Sequence, residues 1–292
     1  MNPILESWMI MIDDETPINK IAIPGSHDAA TAGVFWMAET QDKTIKEQLE
    51  LGSRYFDLRV NKKDDKYVIF HSIINGREFK LVLDEIEEFM FKNPTEFLVL
   101  DFQHFKGGSQ EGVLEMLKDR LGNILVKNDS GLNDVEFIRS LKLKDVRGKC
   151  IVFWGDESAS NSEYTFLRND NECHRDGASL DSYYIADLHK ADANTLINKA
   201  HPVYFERLKK KQEEGSDAVF VLQCQFTDKY FVRGPRSREN KGGNEMSAYI
   251  NSLSNHKQLE GINVIMRDFL NEKKCLDIIN LNYSKGIMKT EI

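Results

Sequence analysis

The chain has 292 residues and a formal net charge of −8 at neutral pH, from 39 basic and 47 acidic side chains. That acidic excess argues against a nucleic-acid binder and gives no general pull toward an anionic membrane, so any lipid contact has to come from local patches. With 41% hydrophobic residues the composition is that of a folded globular protein, long enough for one α/β barrel or two smaller domains.

The first residues, MNPILESWMIMIDDETP, lack a basic region and their short apolar run is followed by acids. They do not read as a secretory signal, and nothing in the chain approaches the roughly 18 consecutive apolar residues needed to span a bilayer. A cytoplasmic location is expected, or secretion if a leader was removed. Trp8 and its neighbours are expected along the bottom or side of the fold.

Strand one is expected at Lys20–Ile23 and is stopped by Pro24-Gly25, with Ser26, His27 and Asp28 directly after it. The next segment holds Val34-Phe35-Trp36-Met37. These four large apolar residues either pack on the barrel, the reading preferred here, or form a rim that dips into lipid. Thr44–Leu51 reads as a short helix stopped by Gly52. Arg54–Val60 reads as a strand carrying Asp57 and Arg59. A polar turn follows at Asn61–Asp65, and a third strand ends on His71, ahead of a loop at Asn75-Gly76.

Leu81–Phe91 has helical spacing and is closed by Asn93-Pro94. Glu96–Phe105 is the clearest buried strand and brings Asp101, Gln103 and His104 to its C-terminal end. Helices follow at Gln110–Leu121 and Val135–Leu141, then a strand at Lys149–Trp154. Asp156–Gly177 is polar and reads as a long loop, and Ser182–Leu188 as a short strand. Tyr204–Glu214 is an amphipathic helix, and Asp217–Phe226 a strand with Gln223 and Gln225. Lys229–Asn244, with Tyr230, Phe231, Arg233, Arg236 and Arg238, reads as a second long loop. A helix at Met246–Leu253, a strand at Ile262–Met266 leading to Asp268, and a last helix at Leu276–Tyr283 complete the chain.

Cys150, Cys173, Cys224 and Cys275 form no C-x-x-C pair, and two of them lie inside apolar runs. They read as buried or free thiols in a reducing compartment, and Cys173-His174 is too isolated for a zinc site.

Seven or eight apolar strands alternating with helices fit a single irregular parallel α/β barrel spanning residues 1–292. An open doubly wound sheet would carry a glycine-rich phosphate loop after strand one, and IPGSHD is not one. In a barrel, His27, Asp57, Arg59, His71, Gln103, His104 and Asp268 share one rim. Two imidazoles facing across a pocket suit general acid–base work near neutral pH. An arginine beside them suits a phosphate, because its planar fork holds two oxygens and its charge does not titrate away. Asp268 can orient one histidine. The set reads as metal-free phosphodiester cleavage. Histidine and aspartate are also metal ligands, but Arg59 would repel a divalent ion.

IPGSHDAAT, the block TQDKTIKEQLELGSRYFDLRV, VLDEIEEFMFKNPTEFLVLDFQHF and VIMRDF together resemble the X-type catalytic domain of phosphatidylinositol-specific phospholipase C. The likeness is to the single-domain bacterial enzymes and the small X-domain proteins of eukaryotes. It implies a distorted TIM barrel in which the inositol 2-hydroxyl attacks the adjacent phosphorus, giving a 1,2-cyclic inositol phosphate and diacylglycerol. It implies His27 as general base with Asp268 as partner, His71 as general acid supported by Asp28, and Arg59, beside Asp57, as phosphate clamp. Arg59 stands where calcium-dependent relatives carry an acid, so the resemblance implies no metal and no cofactor. Gln103 and His104 replace a lysine of the bacterial enzymes. Gln103, His104, Gln223, Gln225 and Arg233 are the expected substrate contacts. The expected partner is an inositol phospholipid met peripherally at a membrane surface by a monomer. The competing readings are a metal-dependent glycerophosphodiesterase and a catalytically weak lipid- or inositol-phosphate-binding module.

Overall fold

The computed structural model describes residues 5–155, 162–169, 178–182, 190–228 and 233–289. Its strands are β1 (Ile23–Ser26), β2 (Tyr55–Lys63), β3 (Lys66–His71), β4 (Ile74–Glu78), β5 (Leu98–Lys106), β6 (Cys150–Trp154), β7 (Thr165–Asn169), β8 (Leu180–Ser182), β9 (Lys190–Ala191), β10 (Val219–Gln223), β11 (Thr227–Asp228) and β12 (Val264–Arg267). β1, β2, β5, β6, β7, β8, β10 and β12 pair in parallel in that order, and β12 pairs back onto β1. The barrel is therefore closed, as expected of a TIM-like α/β fold. β3 and β4 extend the far half of β2 as an antiparallel flap, and β9 with β11 forms a separate two-stranded pair.

Side chains alternate between two environments along each barrel strand. Ile23, Tyr55, Val99, Ile151, Phe153, Phe166, Val219, Val221, Val264 and Met266 belong to one buried cluster, shared with Trp8, Met9 and Ile12 of the N-terminal segment. Their strand neighbours Phe56, Leu58, Leu98, Leu100, Phe102 and Val152 pack instead with the helix Phe79–Lys92. Phe220, Leu222 and Ile265 pack with the helices His201–Glu213 and Pro235–Ser252. The N-terminal turn is locked by a buried ion pair. Arg54 Nε meets Glu96 Oε2 at 2.9 Å, Arg54 Nη2 donates to Leu5 O and Glu6 O, and the Trp8 indole donates to Gly52 O.

Several expectations are corrected. Pro24 and Gly25 do not stop strand one; they lie inside β1, registered against Ile265 and Met266. Gly25 is needed there because β2 and β12 close tightly on β1. A Cβ would stand 2.7 Å from Val264 Cγ1 and 3.0 Å from Tyr55 Cδ1. Asn75-Gly76 belongs to β4. β7 lies within the segment read as a long polar loop, the rest of which falls outside the described residues apart from 162–164. The short strand sits at Leu180–Ser182 rather than Ser182–Leu188, of which 183–188 fall outside the described residues. The stretch read as a loop to Asn244 is helical from Pro235 onward, Pro235 occupying the first turn, where its missing N–H costs no bond. Tyr230 and Phe231 lie outside the described residues. Cys150, Cys224 and Cys275 are buried and unpaired.

Candidate active site

At the C-terminal ends of the barrel strands lies a cavity of about 230 Å³, lined by His27, Asp28, Met37, Thr40, Arg59, His71, Gln103, His104, Gln223, Gln225, Phe226, Thr227, Pro235, Arg238, Met266 and Asp268. Local backbone features aim several of these groups. Asp28 takes a left-handed conformation (φ 42°) right after β1, turning its side chain under the cavity. Between Leu58 and Arg59 the β2–β5 register slips, so that Arg59 pairs with His104 and Gln103 is skipped. Such bulges re-aim side chains at barrel rims. His71 ends β3, and Ser72 (φ 57°) makes the tight turn into β4.

The charged groups converge on one carboxylate. His27 Nε2 and His71 Nε2 lie 3.2 and 3.4 Å from Asp28 Oδ2. Arg59 Nε meets Asp28 Oδ1 at 2.7 Å, and Arg59 Nη2 meets Asp57 Oδ2 at 3.0 Å. Behind His27, Nδ1 is 2.7 Å from Asp268 Oδ1. Behind His71, Nδ1 is 2.7 Å from the carbonyl oxygen of Ala38. A carbonyl only accepts, so His71 Nδ1 carries a hydrogen, and its Nε2 can donate into the cavity only as imidazolium. Nδ1–H of His27 donating to the Asp268 carboxylate leaves Nε2 as the atom that exchanges a proton with the cavity.

Electrostatics follow from this packing. Burial alone would lower the His27 pKa, but the carboxylates of Asp28, Asp268 and Asp57 outweigh it and raise it from 6.5 to about 9. Burial pushes Asp28 up, yet Arg59, His27, His71 and His104 hold it down at about 2. Burial works against the Arg59 charge too, and Asp28 and Asp57 more than restore it, so the guanidinium stays ionised. Beneath the site Asp101 accepts from Tyr55 Oη at 2.5 Å and Gln103 Nε2 at 3.2 Å, and pairs with Arg168 Nε at 2.8 Å. Gln103 is thereby fixed at the cavity wall.

His27, Asp28 and Asp57 offer ligand atoms within 4.8 Å of one another, enough to suggest a cation site. The guanidinium of Arg59 is bonded to both of those carboxylates, so the positive charge such a set would attract is already supplied by the chain.

Of the expected contacts, Gln103, His104, Gln223 and Gln225 line the cavity; Gln225 Nε2 donates to Gln223 Oε1, and Gln223 Nε2 to Ser182 Oγ. Arg233 does not. It lies on a neighbouring cavity beside the start of the helix Pro235–Ser252. Its expected place in the catalytic pocket rested on strand-end position alone. The preferred packing reading of Phe35 and Trp36 is overturned as well, since they are 54% and 58% exposed at the rim. Met37, Thr40, Phe226, Thr227, Pro235 and Arg238 line the cavity without having been assigned to it. Gln41 was also missed: its Nε2 donates to His27 O and Arg267 O, stitching the ends of β1 and β12 together behind the site. No composition or spacing signal marks such a glutamine, because its role exists only once the barrel closes.

Residues 15–155 match the family model described as phosphatidylinositol-specific phospholipase C, X domain. The chain is 21% identical to a 1-phosphatidylinositol phosphodiesterase of Listeria monocytogenes over 95% of this chain and 85% of that protein. It is 31% identical to human PI-PLC X domain-containing protein 2, over 30% of this chain and 39% of that protein, so the match spans well under half of that relative. Among solved structures, phosphatidylinositol-specific phospholipase C from Listeria monocytogenes superposes with a TM-score of 0.74 at 20% identity, covering 95% of this chain and 98% of that one. A Staphylococcus aureus phosphatidylinositol-specific phospholipase C gives 0.69 at 18% identity, covering 94% and 98%. These likenesses show the barrel.

Proposed function

We propose that this chain, which is similar to the phosphatidylinositol-specific phospholipase C X-domain type, cleaves phosphatidylinositol or a related inositol lipid without a metal ion. The observation that carries the reading is the convergence of two imidazole Nε2 atoms on one carboxylate oxygen with a guanidinium alongside. His27, in its neutral form, takes the proton of the inositol 2-hydroxyl at Nε2 while Asp268 holds its Nδ1–H. The hydroxyl oxygen bonds to phosphorus, and the bond from phosphorus to the glycerol oxygen breaks. His71 gives its Nε2 proton to that leaving oxygen, and diacylglycerol departs from a 1,2-cyclic inositol phosphate. Arg59 binds the non-bridging phosphate oxygens and orients them for in-line attack. Nucleophile and phosphate belong to one molecule, so proximity replaces an activated water.

Membrane contact is peripheral in this reading. Among the described residues no helix is long and apolar enough to cross a bilayer, and Phe35 and Trp36 sit exposed in the segment that also supplies Met37 and Thr40 to the cavity. We take the protein to act as a monomer in a reducing compartment, where its buried thiols stay unpaired; sedimentation tests the first point and cell fractionation the second.

The test is release of a cyclic inositol phosphate from phosphatidylinositol vesicles in excess chelator, followed by phosphorus NMR. His27→Ala and His71→Ala should each lose roughly 10²–10⁴-fold in turnover. Full activity in His27→Ala refutes the mechanism, and loss of wild-type activity on chelation moves the assignment to a metal-dependent phosphodiesterase.

A further inference from the structure

Residues 267–270 form the turn that leaves β12 and presents Asp268 to His27. Phe269 stands there in the left-handed region (φ 47°), which a bulky side chain keeps only where its surroundings hold it. The turn is held from two sides. On one side is the stretch Thr40-Gln41. Thr40 O accepts from Phe269 N at 2.7 Å, and Gln41 Oε1 accepts from Leu270 N at 3.0 Å. Gln41 Nε2 donates to Arg267 O at 2.9 Å and to His27 O at 3.1 Å. The buried Gln41 amide therefore bonds backbone beside both members of the His27–Asp268 pair. On the other side is Lys274, whose Nζ donates to Asp268 O and to Phe269 O, each at 2.8 Å. No turn or loop N–H among the described residues is bonded to either carbonyl. Without the ammonium, two buried acceptors would go unpaired.

Neither helix stability nor solvation accounts for Lys274. It lies in the first turn of the helix Glu272–Ile279, its own N–H capped by Asn271 Oδ1 at 3.0 Å. A cation is unfavourable at that end of the helix dipole, and a lysine is seldom buried unless paired. Lys274 is nevertheless only 8% exposed. Its neighbour Lys273 is exposed and pairs along the helix with Asp277 at 2.6 Å. Lys274 instead turns inward onto Glu239 Oε1 at 2.7 Å, an oxygen that also meets Arg267 Nη2 at 2.8 Å. Two cations, Arg267 and Lys274, thus stand with two acids, Glu239 and Asp268, behind His27.

We propose that Lys274 and Gln41 are positioning residues for the His27–Asp268 pair: they fix the turn that keeps Asp268 Oδ1 on His27 Nδ1, and with it the tautomer whose Nε2 faces the cavity. Neither lines the cavity; both act through the backbone of the groups that do. The inference rests on reading His27 as the base and Asp268 as its partner.

The test uses the full chain and two variants on separate elements, Lys274→Met and Gln41→Leu, with near-ultraviolet circular dichroism as the check on folding. Each should lose about 10- to 100-fold in kcat on phosphatidylinositol with KM little changed, because a displacement of about 1 Å behind the chemistry costs on the order of 10²-fold. Nitrogen NMR of the imidazoles reads the pair without turnover. On the alkaline side of its titration, wild-type His27 should show one neutral tautomer, with the hydrogen on Nδ1, and each variant a mixture of two. Lys273→Met makes the same charge change one residue away and should match the wild type in both readings. A folded variant of either residue with wild-type kcat and a single tautomer overturns the proposal. A loss of rate with the tautomer unmoved also overturns it, since that marks a merely structural role, and so does the same loss in Lys273→Met, which marks an effect of net charge. Where one variant does not fold, the other decides alone. A wild type that cleaves no inositol lipid refutes the phosphodiesterase reading instead, and the tautomer still decides the positioning.

Discussion

Replacing Asp268 by Asn isolates the carboxylate behind His27. The two side chains are nearly the same shape and Asp268 is 1% exposed, so the cavity is preserved while charge and hydrogen-bond choice change. Burial favours the neutral imidazole, and it is Asp28, Asp268 and Asp57 that lift His27 to about 9. Because the base works only when neutral, kcat/KM of the wild type should rise with pH toward that value. Removing Asp268 deletes one of the three attractions and the 2.7 Å charge-assisted bond, so the rise should move to lower pH. Taken alone, that shift would make the variant faster at neutral pH. The tautomer works the other way. An amide can present its NH2 to Nδ1, which then accepts, leaving the proton on Nε2 and the base blocked. General-base catalysis is worth roughly 10²–10⁴-fold, about 3–5 kcal/mol of barrier, and this exceeds what the larger neutral fraction returns. Asp268→Asn should therefore lose about two to four powers of ten in kcat/KM while its pH profile shifts to the acid side. A pH series on phosphatidylinositol micelles in chelator gives the rate, and imidazole NMR gives the His27 titration. Wild-type kcat/KM with an unmoved His27 titration would refute the reasoning.

Trp36→Ala should weaken vesicle binding by about 10- to 100-fold, as burying an aromatic side chain is worth ~1.5–3 kcal/mol, and leave turnover of a monomeric soluble substrate unchanged; vesicle sedimentation reads the first and a soluble assay the second. Arg54→Met strands the buried Glu96 carboxylate without its partner and should destabilise the fold by about 3–5 kcal/mol in urea unfolding. Gly25→Ala forces a Cβ against Val264 and should cost about 1–3 kcal/mol in the same measurement. The raised His27 pKa also makes stability depend on pH. The imidazolium's contribution is fully present below 6.5 and is lost as pH rises through about 9, in total about 3 kcal/mol. The urea-midpoint advantage of wild type over His27→Ala should accordingly shrink between pH 6 and pH 10.

The strands legible in the sequence are those buried on both faces. The first residues of β5, and β6 and β12, read as apolar runs because the barrel interior takes one side and the helices the other. β7 and β8 are only 5 and 3 residues long, and they carry Arg168, Asn169 and Asp181, buried yet polar. Ion pairs such as Arg168 with Asp101 satisfy them, but no hydrophobic pattern announces them. β1 was displaced because Pro-Gly usually breaks a strand; here the glycine is demanded by close strand approach, which only tertiary structure reveals. The helix from Pro235 was hidden by two adjacent glycines and a run of charge. His27, Asp57, Arg59 and Asp268 were legible as candidates because titratable groups at strand ends share a rim in any parallel barrel; His71 was legible as a strand end too, but its strand is the antiparallel β3, which reaches the site from the flap. Arg233 failed the same logic because its segment does not end a barrel strand.

The charge count of the site gives the arrangement its sense. Asp28 and Asp268 line the cavity and Asp57 lies behind them on Arg59, all three buried. Against three negative charges stand Arg59 and a protonated His27, leaving one negative charge in excess before any ligand arrives. A phosphodiester adds another. His71, in the acid form its donor role needs, offsets that added charge. The chemistry then needs His27 to give its proton up, which is feasible only if the remaining cation cannot follow it. Arg59 meets that demand because no accessible pH neutralises it, and its fork spans two of the three acids at once. A lysine could match one carboxylate and could lose its charge in so dry a place; a guanidinium keeps one fixed positive charge on the floor of the cavity throughout the proton transfer above it.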